Sequence, residues 1–576
     1  MKQLYKMAYF REIFKKIELP YLVLLILAAV LPIQTRLVYF TPNSYIGNNF
    51  VFYNTLFLYG TDLLIVALVI FWLVGLGIGK FHVKPLRGWK DLDIIWLIWI
   101  FFIISGISIF VSHETLNLTY FLRENLLIIQ FFGLFKLFLV ILLFNFIVFY
   151  VSRETNDSKR LFPVKHEQIS NNLNETRWYN KIFWLILGIS LFEAIVGIWQ
   201  YFSQKSIGLK LLGEEFIRPY LQGIAKFKMA DGQLWLFDKI FNVSRETIFV
   251  MRPYGTFPHP NVFGAFMFFS SIVTYYLYYS VSRKTNTYQS NNKLSVSRET
   301  LWKTLLLIAL FIQIFAVFIS FSRVAIAAWL LATIIWFVLI SFPGNKGLSE
   351  RLFDMKQKIK RKAIQFLLAK TFRLFSLSPA LIFNRSVSTD VIDQVDNNLL
   401  KKRQTLKMLA FSIIFSVVLI GGLFYPQFLE RGGVVSYGTT NEEAVADRLL
   451  YQNIAVEIIK QKPLLGVGYQ NFVLAMDDFS PKQLKPYQYQ PVHNIYLLVG
   501  AETGLLGLSV FLMFIFLILK RGWQKRGDVL AATLLAIFAG FLFIGMFDHY
   551  LLAIQQGRLM FFLVAGLLAA RRSTKG

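Results

Sequence analysis

Residues 252–280 read RPYGTFPHPNVFGAFMFFSSIVTYYLYYS. An opening with one arginine, three prolines, a glycine and a histidine runs straight into about twenty residues without a charge, enough to cross a bilayer once as a helix. Working outward from it, similar uncharged runs recur along the chain. Hydrophobic residues make up 56% of the 576, Phe occurs 59 times, and mean hydropathy is +0.53. Soluble domains are less apolar. Candidate spans fall at 19–39, 61–79, 93–112, 125–150, 182–201, 261–280, 303–320, 324–342, 408–424, 494–518, 529–547 and 556–570. The expected fold is an all-α polytopic membrane protein of about twelve transmembrane helices, forming one integral membrane domain over 1–576. No cleavable signal is expected, because the first apolar run follows a basic amphipathic start without a small-residue cleavage site.

A net charge of +27 invites a nucleic-acid reading, but placement argues otherwise. With the N-terminus inside and the spans alternating, most of the 60 Lys and Arg fall in cytoplasmic segments, the positive-inside bias. Both termini and the basic loop 343–407 are then cytoplasmic, while 202–260 and 425–493 face outward. Within that loop KQKIKRKAIQFLLAKTFR (356–373) reads as a helix on anionic lipid. No nucleic-acid partner is expected.

The second outward segment contains a soluble-looking helix, NEEAVADRLLYQNIAVEIIKQKP, with Asn441 as its expected cap and Lys462-Pro463 as its stop. VSRET-like fragments recur at 111, 151, 243, 281 and 296 at irregular spacings, so they are no solenoid period. The DNA palindrome GTTTCACGTGAAAC encodes Val-Ser-Arg-Glu-Thr in one frame and Phe-His-Val-Lys, found at 81–84, in another. Our hypothesis is that the repeats are copies of a DNA element; unrelated codons at the repeats would refute it.

The chain has no cysteine, hence no disulfide, thiolate nucleophile or cysteine-bound metal. HExxH, GxGxxG, Walker and GxSxG patterns are missing, so neither a metal nor a nucleotide cofactor is expected. What remains is a set of polar residues at outward span ends. Arg252 opens the quoted motif, Arg323 sits in the tight turn of FISFSRVAIAAW, and Arg448 projects from the outer helix. Each has a plain alternative as an interfacial anchor. Guanidinium groups gathered at that depth suit a lipid-linked diphosphate and the charge left on it when it departs. His493 and Asn494 stand at the mouth of a span, with Glu502 deeper in it. His493 is the candidate general base. Glu502 is a candidate intramembrane site carboxylate or a helix brace.

RPYGTFPHPNVFGAF (252–266), SFSRVAIAAWL (320–330), ADRLLYQNIAVEIIKQKPLLGVGYQNF (446–472) and HNIYLLVGAETGLLGL (493–508) occur in an order that resembles the bacterial O-antigen ligase and polymerase superfamily, over a core of about 181–550. The resemblance implies a GT-C-type membrane glycosyltransferase in the bacterial cytoplasmic (inner) membrane, its site facing outward and a large outer loop preceding span ten. It would move a glycan from undecaprenyl diphosphate to an acceptor hydroxyl on a glycan, lipid or protein, without a metal. It further implies diphosphate binding by Arg252, Arg323 and Arg448, the base role for His493, and a shaping or chemical role for His259 and Asn261. A flippase for lipid-linked sugars and a protein O-oligosaccharyltransferase are the alternatives. The acceptor stays open.

Overall fold

The computed structural model describes residues 19–46, 49–77, 89–115, 120–157, 177–221, 223–228, 249–284, 293–342, 387–432 and 440–570. They form a helical bundle with small sheets only in its connections. In chain order come α1 (Leu19–Ala29), β1 (Arg36–Tyr39), β2 (Tyr45–Ile46), β3 (Asn49–Phe50), β4 (Leu56–Tyr59), α2 (Gly60–Gly77), α3 (Trp89–Thr115), α4 (Tyr120–Asp157) and α5 (Arg177–Ser203). Next are β5 (Lys226–Lys228), β6 (Phe249–Met251), α6 (Pro260–Lys284), α7 (Lys293–Ile319), α8 (Arg323–Ser341) and α9 (Val387–Leu423). The chain ends with α10 (Tyr425–Gly432), α11 (Thr440–Gln461), α12 (Phe472–Phe479), α13 (Ile495–Gln524), α14 (Val529–Gly545), α15 (Tyr550–Ala553) and α16 (Gln555–Ala569).

Eight of these helices are long and apolar enough to span a membrane, and four shorter apolar ones, α1, α2, α14 and α16, fall on the remaining expected spans. The protein is an all-α polytopic membrane protein. The first expected span, 19–39, is too long: the helix stops at Ala29, and Arg36–Tyr39 pairs antiparallel with Leu56–Tyr59. Hydropathy runs on through LVY (37–39), but those residues are strand. The basic segment 356–373 lies outside the described residues, whereas α9 begins at Val387 and takes the last turns of the expected loop 343–407. The VSRET copies at 151 and 296 continue α4 and begin α7; the one at 243 lies outside the described residues.

The quoted stretch lies at the centre. The apolar window of α6 is wholly buried, unlike that of the other seven long spans. Apolar lipid gives helices little hydrophobic reason to associate, so close van der Waals packing and polar pairs must hold them. Phe263 and Phe268 of α6 press on Gly197 of α5 and Gly540 of α14, where an added Cβ would come within 2.4 and 2.3 Å of the rings. Gln313 of α7 accepts from Thr274 of α6 at 2.8 Å and donates to Ser190 of α5 at 2.8 Å, and Trp336 of α8 donates to Thr533 of α14 at 2.9 Å.

The described residues of the connections 30–59, 204–259, 320–322, 424–494 and 546–554 share one end of the bundle. There α11 forms the expected polar helix, although it starts at Thr440, so Asn441 lies in its first turn rather than capping it. The following LLGVGYQNF is a turn, as expected, but it also repairs a break in α13. Gly504 has φ +67, which interrupts that helix, and the freed carbonyls of Ala501 and Glu502 accept from the amides of Val467 and Gly468 at 2.9 and 3.0 Å. A broken helix is tolerated at membrane depth when protein groups satisfy its backbone in this way.

Candidate functional site

The 252–261 loop is held from below by α5. Glu193 accepts from the Thr256 amide and hydroxyl at 2.9 and 2.8 Å, and Gln200 accepts from the amides of Tyr254 and Gly255 at 2.9 and 2.8 Å. Gly255 has φ +61, and a Cβ there would lie 2.5 Å from the Glu193 carboxylate, so only glycine fits. This bracing sets the arginine and the asparagine of the motif facing the same way.

Arg252 is 3% exposed. Its Nε donates to the Ser320 carbonyl and its Nη2 to Asn261 Oδ1, both at 2.7 Å. Asn261 Nδ2 in turn donates to Asp548 Oδ2 at 2.8 Å, and Asp548 Oδ1 accepts from the His549 amide at 2.9 Å. His259 accepts from the Asn261 amide through Nδ1 at 3.2 Å. The motif is therefore wired to Asp548-His549 on a distant part of the chain, at the end of α14.

His493 meets this group from the other side. Its ring centroid is 4.9 Å from that of His549, and its face stacks on Tyr451 of α11 at 5.7 Å, nearly parallel. Asn494, not His493, caps α13, accepting from the amides of Tyr496 and Leu497 at 2.9 and 3.0 Å. It also donates to the Met546 carbonyl at 3.2 Å, tying the start of α13 to the end of α14. His493 is thus left without the cap role, and its buried Nδ1 has no hydrogen-bond partner. Tyr53, between β3 and β4, approaches His549 Nε2 through its hydroxyl at 3.3 Å.

Burial lowers all three imidazoles. His259 and His549 are pushed down to about 3, and His493 falls below its usual value, with Asp548 opposing the shift. Burial pushes the Asp548 carboxyl up, but the three histidines and the Asn261 hydrogen bond outweigh it and hold it below the usual carboxylate range. Near neutrality the histidines are uncharged and Asp548 is ionised.

Beside the histidines stands a set of four arginines. Tyr451 and Arg448 are three residues apart on α11 and share a face, so the stacking on His493 carries Arg448 to the cluster. Phe428 of α10 packs on Phe318 and Phe321, which sets Arg431, in the last turn of α10, against the 320–322 turn before Arg323. Burial, then Arg323 and Arg448, lower Arg431 to about 10; burial, then Arg431, hold Arg252 well below its usual value. Among the described residues, Arg323 and Arg448 have neither a carboxylate nor a hydrogen-bond partner. Arg323 also opens α8, whose first turn has no acidic residue, so a positive helix end and a guanidinium coincide. The arrangement calls for an anion.

Donor atoms of His493, Asp548 and His549 lie within 4.8 Å of one another, a grouping that sequence spacing did not reveal. Both Asp548 oxygens also accept hydrogen bonds, and Arg448 adds positive charge beside both histidines.

Glu502 stands apart from the cluster. Its carboxylate accepts from the Phe472 amide at 3.4 Å, at the start of α12, where helix amides lack partners. Arg431, Asp548, His549, Tyr53 and Tyr451 were not singled out for the site by sequence.

Residues 308–512 match the family described as O-Antigen ligase. Over these residues the chain resembles the O-antigen ligase superfamily. The matched residues include Arg323, Arg431, Arg448 and His493 but neither Arg252 nor Asp548. A protein of Rickettsia bellii (strain RML369-C) named "Putative polysaccharide ligase" is 29% identical over 147 residues, covering 24% of this chain and 35% of its own. Similarly named proteins of Rickettsia prowazekii (strain Madrid E) and Rickettsia conorii (strain ATCC VR-613 / Malish 7) are 24% and 25% identical over 153 residues. Each alignment covers 25% of this chain, and 38% and 37% of the respective relative. The chain therefore spans little more than a third of the length of these relatives.

Proposed function

We propose that this protein is a polysaccharide ligase or polymerase that transfers a glycan from an undecaprenyl-diphosphate carrier to an acceptor hydroxyl at the outer face of the cytoplasmic membrane. The observation carrying this reading is the meeting, at one end of the bundle, of four arginines with a neutral histidine beside an ionised carboxylate. Arg323, Arg431 and Arg448 hold the diphosphate. Arg252, most of it buried, adds charge and positions Asn261 and Asp548. The acceptor oxygen attacks the anomeric carbon, the bond to the diphosphate oxygen breaks, and the electron pair leaves with the diphosphate. Its charge is met by guanidinium groups already in place. The acceptor proton passes to His493, and Asp548 stabilises the imidazolium that forms. No step needs a metal or nucleotide.

The test is transfer by the purified protein of a lipid-linked glycan to candidate acceptors. Glycan joined to an acceptor with release of undecaprenyl diphosphate supports the proposal; movement of the lipid-linked sugar across the bilayer without transfer would replace it with a flippase. Orientation is tested by introducing a cysteine near residue 360, which the cysteine-free chain permits. It should resist an impermeant reagent in intact cells, and labelling there would invert the topology.

A further inference from the structure

Beside Tyr53 lies a cavity of about 50 Å³ whose lining includes Tyr53, Tyr59, Lys136, Gln470, Gln555 and Arg558. That is several times the roughly 10–15 Å³ needed to seat one water. Its charges do not balance. Lys136 of α4 is paired with Asp62 of α2, whose oxygens also accept from the Tyr59 amide and from Gln555 Nε2, both at 2.8 Å. The Lys136 and Asp62 charges thus cancel. Arg558 of α16 is 8% exposed and has no carboxylate partner among the described residues. Its Nη2 donates to the nearby Ala553 carbonyl at 3.3 Å, while its Nε and Nη1 are buried with no partner. The Gln555 carbonyl oxygen lining the same space is unpartnered too. A buried guanidinium with most of its five donors unused is strongly unfavourable unless a counter-charge arrives.

We propose that this cavity is a second anion site, distinct from the arginine set around His493, which seats a phosphate or carboxylate group against Arg558. Lys136, its charge cancelled by Asp62, lines the wall, and Tyr59 lends a rim. Tyr53 is the partition: it lines the cavity and also reaches His549. An anionic group seated there lies one side chain from the histidines, so the site serves to hold a charged group of the acceptor while its hydroxyl is presented to His493. Assigning the anion to the acceptor rests on the transfer reading above; the binding of an anion to Arg558 does not.

The test uses inorganic phosphate and the full chain in phosphatidylcholine nanodiscs, with the thermal midpoint as readout and no donor present. Arg323→Gln/Arg448→Gln weakens the first site, so the phosphate response that remains reports the second. That background should still be stabilised saturably by phosphate, and adding Arg558→Gln should lower the apparent affinity at least tenfold. No saturable response with Arg558 intact would overturn the proposal even if the Arg558 variant does not fold. So would an unchanged response in a folded Arg558→Gln protein. Repeating the titration in phosphatidylglycerol nanodiscs separates the sources. A phosphate response that persists there supports an acceptor group, whereas one abolished because the headgroup already fills the cavity keeps the anion site and overturns its assignment to the acceptor.

Discussion

Tyr53 and His549 are 496 positions apart in sequence, yet the phenol oxygen lies 3.3 Å from Nε2 of the imidazole. The contact joins the connection between the first two helices to the end of α14, and it engages Nε2 of one of two neighbouring histidines. His549 meets Tyr53 through Nε2, and its amide donates to the Asp548 carboxylate; His493 stacks on Tyr451, and the Nδ1 atoms of both histidines are buried without a partner.

The arginine set predicts a charge-conserving loss. Arg323→Lys and Arg448→Lys keep the positive charge but lose the planar fork, and each should lower kcat/KM roughly ten- to hundredfold, about 1.5–3 kcal/mol. Arg252→Lys should differ in kind. A lysine ammonium cannot reproduce the fixed fork that reaches the Ser320 carbonyl and Asn261 together, so the thermal midpoint should fall along with the rate. Wild-type rates in the Arg323 and Arg448 lysine variants would make these residues membrane anchors.

Gly255→Ala tests the bracing of the loop. The new Cβ would sit at φ +61 and collide with the Glu193 carboxylate, so the variant should lose at least about 1 kcal/mol, the left-handed penalty alone. Thermal unfolding of the purified variant reads this directly, and an unchanged midpoint would mean that the loop relaxes freely.

Much of this architecture is legible in the sequence, because an uncharged run of bilayer length has few other fates. The ends of the runs are less so. Hydropathy does not distinguish helix from strand at Arg36–Tyr39, and it is blind to the positive φ of Gly504 that breaks α13. Arg252, Arg323 and His493 can be singled out because each stands beside an apolar run, and Arg448 because it projects from the outer helix. Arg431 sits in FLERGG, a stretch without a motif, and the packing of Phe428 brings its helix against the turn before Arg323. Asp548 was hidden for another reason: its significance comes from Asn261, 287 residues away, and no local pattern records that hydrogen bond.

Stability should fall on the acid side of neutrality. His259 and His549 titrate near 3 in the folded protein and near 6.5 when unfolded, so between those values the unfolded chain binds more protons. The folded state therefore keeps its full stability above about pH 6.5 and loses it progressively as pH drops toward 3. His549→Gln should flatten the dependence of the thermal midpoint on pH across this window. A slope identical to wild type would show that His549 titrates alike in both states.

The last prediction separates the two adjacent histidines. A general base must be neutral at the working pH, reach the acceptor proton, and be able to accept it. His549 meets only the first condition well: burial and its neighbours hold it near 3, which leaves it a weak base, and Tyr53 occupies its Nε2. His493 is depressed less far, is the more exposed of the two, and lies between Asp548 and the face of α11 that carries Arg448. His493→Ala should therefore lower kcat by roughly 10²–10⁴ while leaving donor binding intact. His493→Gln should fare no better, because a hydrogen bond without basicity does not take the proton. His549→Gln, which keeps a polar group facing Tyr53, should cost far less. The pH profile supplies an independent reading. Because the His493 value is lowered, kcat/KM should be flat near neutrality and fall only on the acid side of about pH 6.5, as the base becomes protonated. Loss of that acid limb in His493→Gln, with the limb retained in His549→Gln, would assign it to His493. The opposite pattern would hand the role to His549.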